Sequence, residues 1–392
     1  MSLPMRLAVF SHKLCWHSES SPSGFATDGG FPFQMSALPA LFEETRLIVP
    51  CSPAESEEGL LALNGHNLSV KPLTPPRGRG LARKLQLPIW FFRNSVAIFQ
   101  EVWRADVVHA PIPGDVGTIG MLLAFLARKP LFVRHCGNWL VRKTWAEHFW
   151  RWFMERFAGG RQVMLATGGS PQPPSTRNAA IRWIFSTTLT ESELENCRAR
   201  REQLPHDSFR LIIACRQDRE KGAGVVIESL PLILKRHPHV RLDVVGDGLA
   251  LEEFKLLVRA LELTHCVTFY GKVNHKSVMD LLQQAHMFCY PTMASEGFPK
   301  IVLEALACGL PVVTTRVSVL PQLIGTGCGI VIDQRTPLAV AEAVDEILSD
   351  EQRYRRMSSQ AFETARQYSL ERWRDTIAEL LLAAWRPRRS NV

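Results

Sequence analysis

Nine cysteines, at positions 15, 51, 136, 197, 215, 266, 289, 308 and 328, are spread along the 392 residues, and no two stand as Cys-x-x-Cys. An odd set without that spacing argues against a disulfide framework and against a structural zinc site, and suits reduced thiols in a cytosol. Long apolar runs are also missing. The longest, around 119–127, falls well short of the ~20 residues that a spanning helix needs. At the N-terminus Met5-Arg6-Leu7-Ala8-Val9-Phe10 runs straight into Ser11-His12-Lys13, too short an apolar stretch for a secretory signal. An intracellular chain that does not cross the membrane is expected. No complete Gly-x-Gly-x-x-Gly follows an apolar run, which disfavours a hydride-transferring dehydrogenase. Neither zinc-finger spacing nor an RNP-like run is present, so no nucleic-acid partner is expected.

What is present is a globular composition long enough for two cores: 46% hydrophobic and 21% charged residues. Lys and Arg outnumber Asp and Glu by 46 to 38, leaving +8. That balance suits phosphate-bearing ligands or an anionic membrane surface, and equally a solvated basic surface without a specific partner.

Short apolar runs rich in β-branched residues alternate with segments of helical period, the pattern of parallel sheets with crossover helices. Strands are expected at 6–10, 46–49, 107–110, 131–134, 163–166 and 181–186, and a second series at 211–215, 241–245, 267–270, 287–290, 311–314 and 329–332. The polar segment 190–208 with Pro205 separates them. This reads as an α/β chain of two Rossmann-like, doubly wound domains, 1–205 and 206–369, with an amphipathic segment from about 370 to 392 closing back onto the first. The segments 75–99 and 139–157 interleave aromatic residues with Arg and Lys. Such segments suit a membrane interface, and also an ordinary core.

Chemistry-bearing residues cluster after the strands. Ser295-Glu296-Gly297-Phe298-Pro299 leads into a helix that carries Glu304 and stops at Gly309 and Pro311, with Pro299 suited to the first helical position. Gly297 and Phe298 would then sit at a helix N-terminus, whose amides attract anions and hydroxyl oxygens. Glu304 would lie about 8 Å further along, leaning back so that both carboxylates border one ligand. A loop acid and a helix-surface acid are the plainer alternative. Arg216 and Lys221, in Cys215-Arg216-Gln217-Asp218-Arg219-Glu220-Lys221-Gly222, follow the first strand of the second half, where doubly wound sheets bind ligands. Two cations there suit a diphosphate, or are solvated turn charges. Gly246-Asp247-Gly248 has Leu251 in place of a third glycine and reads best as a tight turn. In the first half, Gly29 and Gly30 precede a helix starting near Phe31, either a plain turn or a place of close ligand approach. His135 ends another strand, suited to a sugar hydroxyl, a phosphate or a structural role.

Together these residues resemble the retaining glycosyltransferases of family 4, which have the GT-B fold with two Rossmann-like domains facing an interdomain cleft. The Glu296-x7-Glu304 element with its Ala-Cys-Gly-Leu-Pro-Val-Val continuation, Arg216 with Lys221-Gly222, Gly246-Asp247-Gly248 and Gly271-Lys272-Val273 follow the family's order over about 208–370. The first half matches mainly at Gly29-Gly30, Asp106-Val107-Val108-His109 and His135. The resemblance implies that Arg216 and Lys221 hold the diphosphate of a nucleotide-sugar donor, and Glu304 its ribose. Glu296 and the amides of Gly297 and Phe298 would hold the sugar, with Val273 near the base and His135 near donor sugar and acceptor. It implies retention by front-face attack with no protein nucleophile. No Asp-x-Asp motif appears, so neither a metal nor another cofactor is expected. A glycan or lipid-linked acceptor in cell-envelope or exopolysaccharide synthesis is expected, with peripheral contact to an anionic membrane. Cys215 replaces a usual glycine, Pro299 removes an amide, and the loop 11–27 is longer than in relatives. A nucleotide-sugar epimerase of the same architecture would instead convert donor without acceptor, and a non-catalytic binding protein would transfer nothing.

Overall fold

The computed structural model describes residues 3–54, 59–76, 78, 80–142, 144–170, 172–201, 209–294 and 297–385. The chain divides into two compact units, Met1–Thr188 with Leu370–Val392, and Leu189–Ser369.

In unit 1, β1 (Leu3–Phe10) is followed by β2 (Trp16–His17) and β3 (Phe25–Thr27), then α1 (Phe31–Ala37), β4 (Phe42–Pro50), β5 (Leu61–Ala62) and β6 (Leu68–Leu73). There follow α2 (Gly80–Arg104), β7 (Val107–Ile112), α3 (Asp115–Leu126), β8 (Leu131–His135), α4 (Trp145–Phe157), β9 (Gln162–Thr167) and β10 (Arg182–Ile184). Seven strands form one sheet in the order β10-β9-β8-β7-β1-β4-β6, every pairing parallel, while β2, β3 and β5 make a small antiparallel sheet. Both faces of the large sheet are covered, so its central strands are apolar without alternation: all six residues of β7 and all five of β8 are buried. Trp90, Ile98 and Val102 of α2 pack on one face with Met121 of α3 and Phe153 of α4. On the other face Met35 of α1 packs with the C-terminal helix α13 (Leu370–Trp385). That helix buries Leu370, Trp373, Ile377 and Leu381, the spacing of one helical face, each contributing about 1.5–3 kcal/mol on burial.

Unit 2 opens with α5 (Glu191–Arg201), then β11 (Arg210–Ala214), α6 (Ala223–Leu234), β12 (Arg241–Val245), α7 (Leu251–Ala260), β13 (Val267–Gly271) and α8 (His275–Gln284). It continues through β14 (Met287–Tyr290), α9 (Lys300–Ala307), β15 (Val312–Thr315), α10 (Leu320–Ile324), β16 (Gly329–Ile332), α11 (Pro337–Leu348) and α12 (Glu351–Arg366). Its six parallel strands run β13-β12-β11-β14-β15-β16. Counted within each unit, both sheets have the order 3-2-1-4-5-6 of doubly wound dinucleotide-type folds, with a seventh strand added in unit 1.

Three features depart from the sequence reading. The division falls at Thr188/Leu189, not near 205, because part of the polar segment is α5. Leu194 and Cys197, one turn apart, are buried, and the helix packs on α8, α9 and α12. Thr190 and Glu193 form a reciprocal capping pair, with the Thr190 amide donating to Glu193 Oε2 at 2.8 Å and the Glu193 amide to Thr190 Oγ1 at 3.2 Å. Second, β6 was not expected. It lies at the sheet edge, carries Pro72 and is mostly half-buried, so its residues lack the apolar run of a central strand. Third, Pro299 is the N-cap of α9, not its first helical residue.

Candidate active site

In an open parallel sheet, ligands sit beyond the carboxyl ends of the strands where the strand order reverses. In unit 2 that place lies between β11 and β14. The loop leaving β11 carries Arg216 and Lys221, that leaving β12 carries Gly246, that leaving β13 carries Val273, and that leaving β14 carries Gly297 and Phe298 and enters α9 with Glu304. All seven thus occupy one edge of one sheet. Glu296 lies outside the described residues.

The loops after β11 and β14 are tied together through backbone. The Met293 amide donates to the Glu220 carbonyl at 2.7 Å, and Thr292 Oγ1 donates to the same oxygen at 3.3 Å. Thr314 Oγ1 donates to the Tyr290 carbonyl at 2.8 Å, and Thr315 Oγ1 to that of Thr292. Arg335, beyond β16, donates Nε to the Pro291 carbonyl at 2.8 Å and Nη2 to that of Arg219 at 2.5 Å, so one guanidinium clasps both loops. Its burial lowers its pKa. Within this frame Lys221 Nζ donates to Tyr290 Oη at 3.4 Å. Arg216 pairs with Asp218 and keeps 73% of its side chain exposed, a cation held by a short tether at the strand end. Gly222 has φ +104°, and a Cβ there would reach 2.5 Å from the Pro291 carbonyl oxygen, so the approach of the two loops requires glycine.

Gly246 plays a comparable packing role. It has φ +114°, its amide donates to the Gly271 carbonyl at 2.8 Å, and a Cβ would collide with the Cys215 carbonyl oxygen. Gln217, fully buried, donates Nε2 to the Cys215 and Val245 carbonyls at 2.9 and 2.8 Å, and its amide bonds the Asp247 carbonyl at 3.0 Å. The Gly246-Asp247-Gly248 segment is therefore a turn packed under the Arg216 loop. Gly246→Ala is expected to cost at least about 1 kcal/mol from the backbone conformation alone, read by urea unfolding.

Glu304, on the first turns of α9, is 5% exposed, and His275 Nε2 lies 3.0 Å from its Oε1. The hydrogen bond to Glu304 raises the His275 pKa against the opposing effect of its own partial burial, so the pair is an ion pair below that raised value. His275 starts α8 behind the N-cap Asn274, whose side chain accepts from the Ser277 amide. Val273 precedes this cap by one residue, which puts it at the Glu304 end of the site. The Phe298 ring is buried against Tyr368, with centroids 5.7 Å apart, so Phe298 offers the site backbone and its ring packs. Tyr290, His275 and Arg335 were not among the residues read from sequence. The signal for His275 was available, because Asn274 three residues before Ser277 marks a helix start directly after a strand. Nothing local marks Arg335.

In unit 1 the corresponding reversal lies between β1 and β7. His12 follows β1, Gly114 follows β7 with φ +152°, and a Cβ on Gly114 would strike the His12 ring. Burial first, then Lys13 and Arg83, lower the His12 pKa. This residue too was not anticipated. Gly29, with φ +70°, sits beside the Lys13–Asp28 ion pair, and Gly30 is the N-cap of α1. His135 closes β8 at 5% exposure, edge-on to Trp139 with centroids 5.4 Å apart. Burial pushes its pKa down to about 4, so at neutral pH it is an uncharged imidazole, able to meet a sugar hydroxyl or a phosphate by hydrogen bonding. His109 is a core residue, stacked on Phe132 at 4.1 Å with Nδ1 2.9 Å from the Phe132 carbonyl oxygen. A separate cavity of about 770 Å³ between the ends of β4 and β6 and helix α2 is lined by none of Gly29, Gly30, His12 or His135.

The fold and this edge define a GT-B protein: two Rossmann-like α/β units with ligand-type loops at the carboxyl ends of the strands. Over 96% of the chain it is similar to Anabaena HepE solved in complex with UDP and glucose, with TM-score 0.67 at 18% identity and 99% of that chain covered. A similar likeness, TM-score 0.67 at 17% identity over 97% of this chain and 99% of the other, holds for sucrose-phosphate synthase from Thermosynechococcus elongatus. Residues 198–364, within the C-terminal unit, match the family Glycosyl transferases group 1. Among curated relatives, the D-inositol 3-phosphate glycosyltransferase of Corynebacterium jeikeium (strain K411) is 29% identical over 259 residues, 55% of this chain and 61% of that protein. The phosphatidylinositol N-acetylglucosaminyltransferase gpi3 subunit of Schizosaccharomyces pombe is 28% identical over 130 residues, 33% and 28% respectively. The chain thus spans less than two thirds of the length of the curated relatives it matches.

Proposed function

We propose that this protein is a retaining, metal-independent glycosyltransferase of the family 4 type. It moves a sugar from a nucleoside-diphosphate donor to a hydroxyl of a glycan or lipid-linked acceptor, in cell-envelope or exopolysaccharide assembly. The observation that carries this reading is the gathering of Arg216, Lys221, Val273, Gly297, Phe298 and Glu304 on the loops at one edge of the unit 2 sheet, with the two cations at the reversal point. The UDP and glucose bound in HepE support a nucleotide-sugar donor and make uridine the first base to test.

In the proposed reaction Glu304 accepts hydrogen bonds from the ribose diol, the amides at the start of α9 meet the sugar, and Arg216 and Lys221 bracket the diphosphate. The bond between the anomeric carbon and the phosphate oxygen breaks as negative charge grows on the leaving diphosphate, which fixed cations stabilise most in the transition state. The acceptor oxygen bonds the same face of that carbon, and its proton passes to the departing phosphate oxygen. Glu296 keeps its role from the resemblance alone. His135 takes part as a neutral imidazole in hydrogen bonding, and His12 joins it as an acceptor-side residue.

A thermal-shift series with UDP, GDP and ADP tests the donor site, because a ligand that binds only the folded state raises the melting temperature. One of the three is expected to shift it, and none doing so would refute the assignment. Mass spectrometry with the matching sugar donors then separates transfer, which needs acceptor, from epimerisation, which does not.

A further inference from the structure

The solvent-facing side of α2 is apolar. Leu85, Ile89, Phe92, Val96, Phe99 and Trp103 follow at intervals of four, three, four, three and four residues, which keeps them on one side of a helix. Their exposures are 78, 63, 78, 66, 46 and 76%. The opposite side of the same helix gives Trp90, Ile98 and Val102 to the core, so the aromatic character of this segment has two separate uses. The stripe extends about 27 Å at 1.5 Å per residue. Scattered exposed apolar side chains are normal on a soluble surface, but a continuous row of six is not. Trp145 and Trp152 of α4 and Leu126 of α3, from helices on the same face of the sheet, are also exposed, at 92, 54 and 76%.

Among the described residues, the charge on α2 that is not offset by an ion pair has one sign. Besides Arg83 and Arg104, which bond Asp115 and Glu44, α2 carries Lys84 and Arg93, which form no ion pair among the described residues. Its single acid, Glu101, is 5% exposed and bonded to Arg46 at 2.6 Å. A second copy of the chain is a poor partner for this face. Pairing two such stripes would bring Lys84 and Arg93 against their own equivalents with no exposed acid on either helix to offset them. Anionic lipid complements both features at once: acyl chains for the stripe and phosphates for the cations. Among the described residues no helix is long and apolar enough to cross a bilayer, so α2 would lie along the interface.

We propose that α2 docks unit 1 onto an anionic lipid bilayer, immersing the six apolar side chains at the headgroup–acyl boundary and setting Lys84 and Arg93 against lipid phosphates. The surface belongs to unit 1 and the donor-side loops to unit 2, so the proposal stands or falls independently of glycosyl transfer.

The test is sedimentation of the full chain with phosphatidylcholine vesicles, with and without phosphatidylglycerol, at low and high salt. Binding to the anionic vesicles at low salt is expected, weakened by salt as screening predicts. The double variant Ile89→Glu, Phe92→Glu should lower partitioning at least about tenfold, since burying a charge offsets the gain from apolar contact. Arg93→Glu should remove the preference for anionic lipid while leaving weaker binding. Circular dichroism checks folding, and if the double glutamate variant is unfolded, Phe92→Ser with Trp103→Ser replaces it. Failure of the wild-type protein to bind either vesicle, or wild-type binding by the folded stripe variants, overturns the proposal. So does sedimentation equilibrium showing a dimer that the same variants convert to monomer, because the stripe would then belong to a second copy.

Discussion

Lys221→Ala is expected to lower kcat/KM for the donor by about 10- to 100-fold and to leave the melting temperature of the free protein unchanged. A hydrogen bond to a charged group contributes about 1.5–3 kcal/mol, and each 1.4 kcal/mol is a factor of ten. Lys221 belongs at the upper end of that range because its position is prepared. Tyr290 Oη lies 3.4 Å from its ammonium, the flanking Gly222 fits tightly over the end of β14, and Arg335 clasps the loops on either side. The entropy of ordering a long side chain is partly spent in folding, before donor binds. Arg216 differs in being largely exposed and tethered by Asp218, so a diphosphate must draw it from an acid it already holds. Arg216→Ala should therefore lower kcat/KM less than Lys221→Ala does. Because the cations act most on charge that develops during bond cleavage, kcat should fall more than KM rises. Unchanged kcat/KM in the Lys221 variant would remove the diphosphate role, and a fall confined to KM would make the residue a binder of ground state only.

The parallel architecture was readable because its physical cause is simple. Strands covered on both faces must be apolar throughout, and those of unit 2 begin and end within about a residue of where the apolar runs do. The failures occur where a different constraint governs the residues. The edge strand β6 needs no apolar run, and α5 buries Leu194 and Cys197 alone among its described side chains, so its polar remainder reads as linker although Thr190 and Glu193 advertise a helix start. The placement of Arg216, Lys221, Gly246, Val273, Gly297, Phe298 and Glu304 beyond the carboxyl ends of one sheet was legible because the strands that precede them were. The turn at Gly246 was legible too, since an incomplete glycine pattern implies one, while its expected contact with the donor rests on the resemblance. Partnerships between distant loops were not. Arg335 reaches back 44 residues to Pro291 and 116 to Arg219, and no local pattern encodes that. Burial was the other invisible quantity: it lowers the His135 pKa to about 4, which the residue type and its place after a strand do not reveal.

Glu304→Gln is expected to weaken nucleotide binding by about tenfold, measured by calorimetry with the diphosphate that shifts the melting temperature, with little change in folding at pH 8. The amide preserves volume in a buried position, so α9 should pack as before. It retains one acceptor oxygen where the carboxylate has two, and it loses the charge that strengthens a bond from a ribose hydroxyl to about twice the neutral value. The variant has a second signature that packing alone would not produce. In the native protein His275 has its pKa raised first by the hydrogen bond to Glu304. The pair's stabilisation is therefore fully present below the unfolded histidine value of about 6.5 and is lost as pH rises through the raised folded value. Urea unfolding of the wild-type protein should show this loss on going from about pH 6 toward alkaline pH, and the glutamine variant should lack that component, since a neutral amide gives the imidazolium no counter-charge. The effect is small, about 1 kcal/mol or less for a partly exposed pair, so the difference between the two pH profiles is the quantity to measure. Parallel profiles would mean that Glu304 is not the group that holds the His275 proton. Unaltered nucleotide affinity would mean that this carboxylate serves the fold and that the ribose is bound elsewhere.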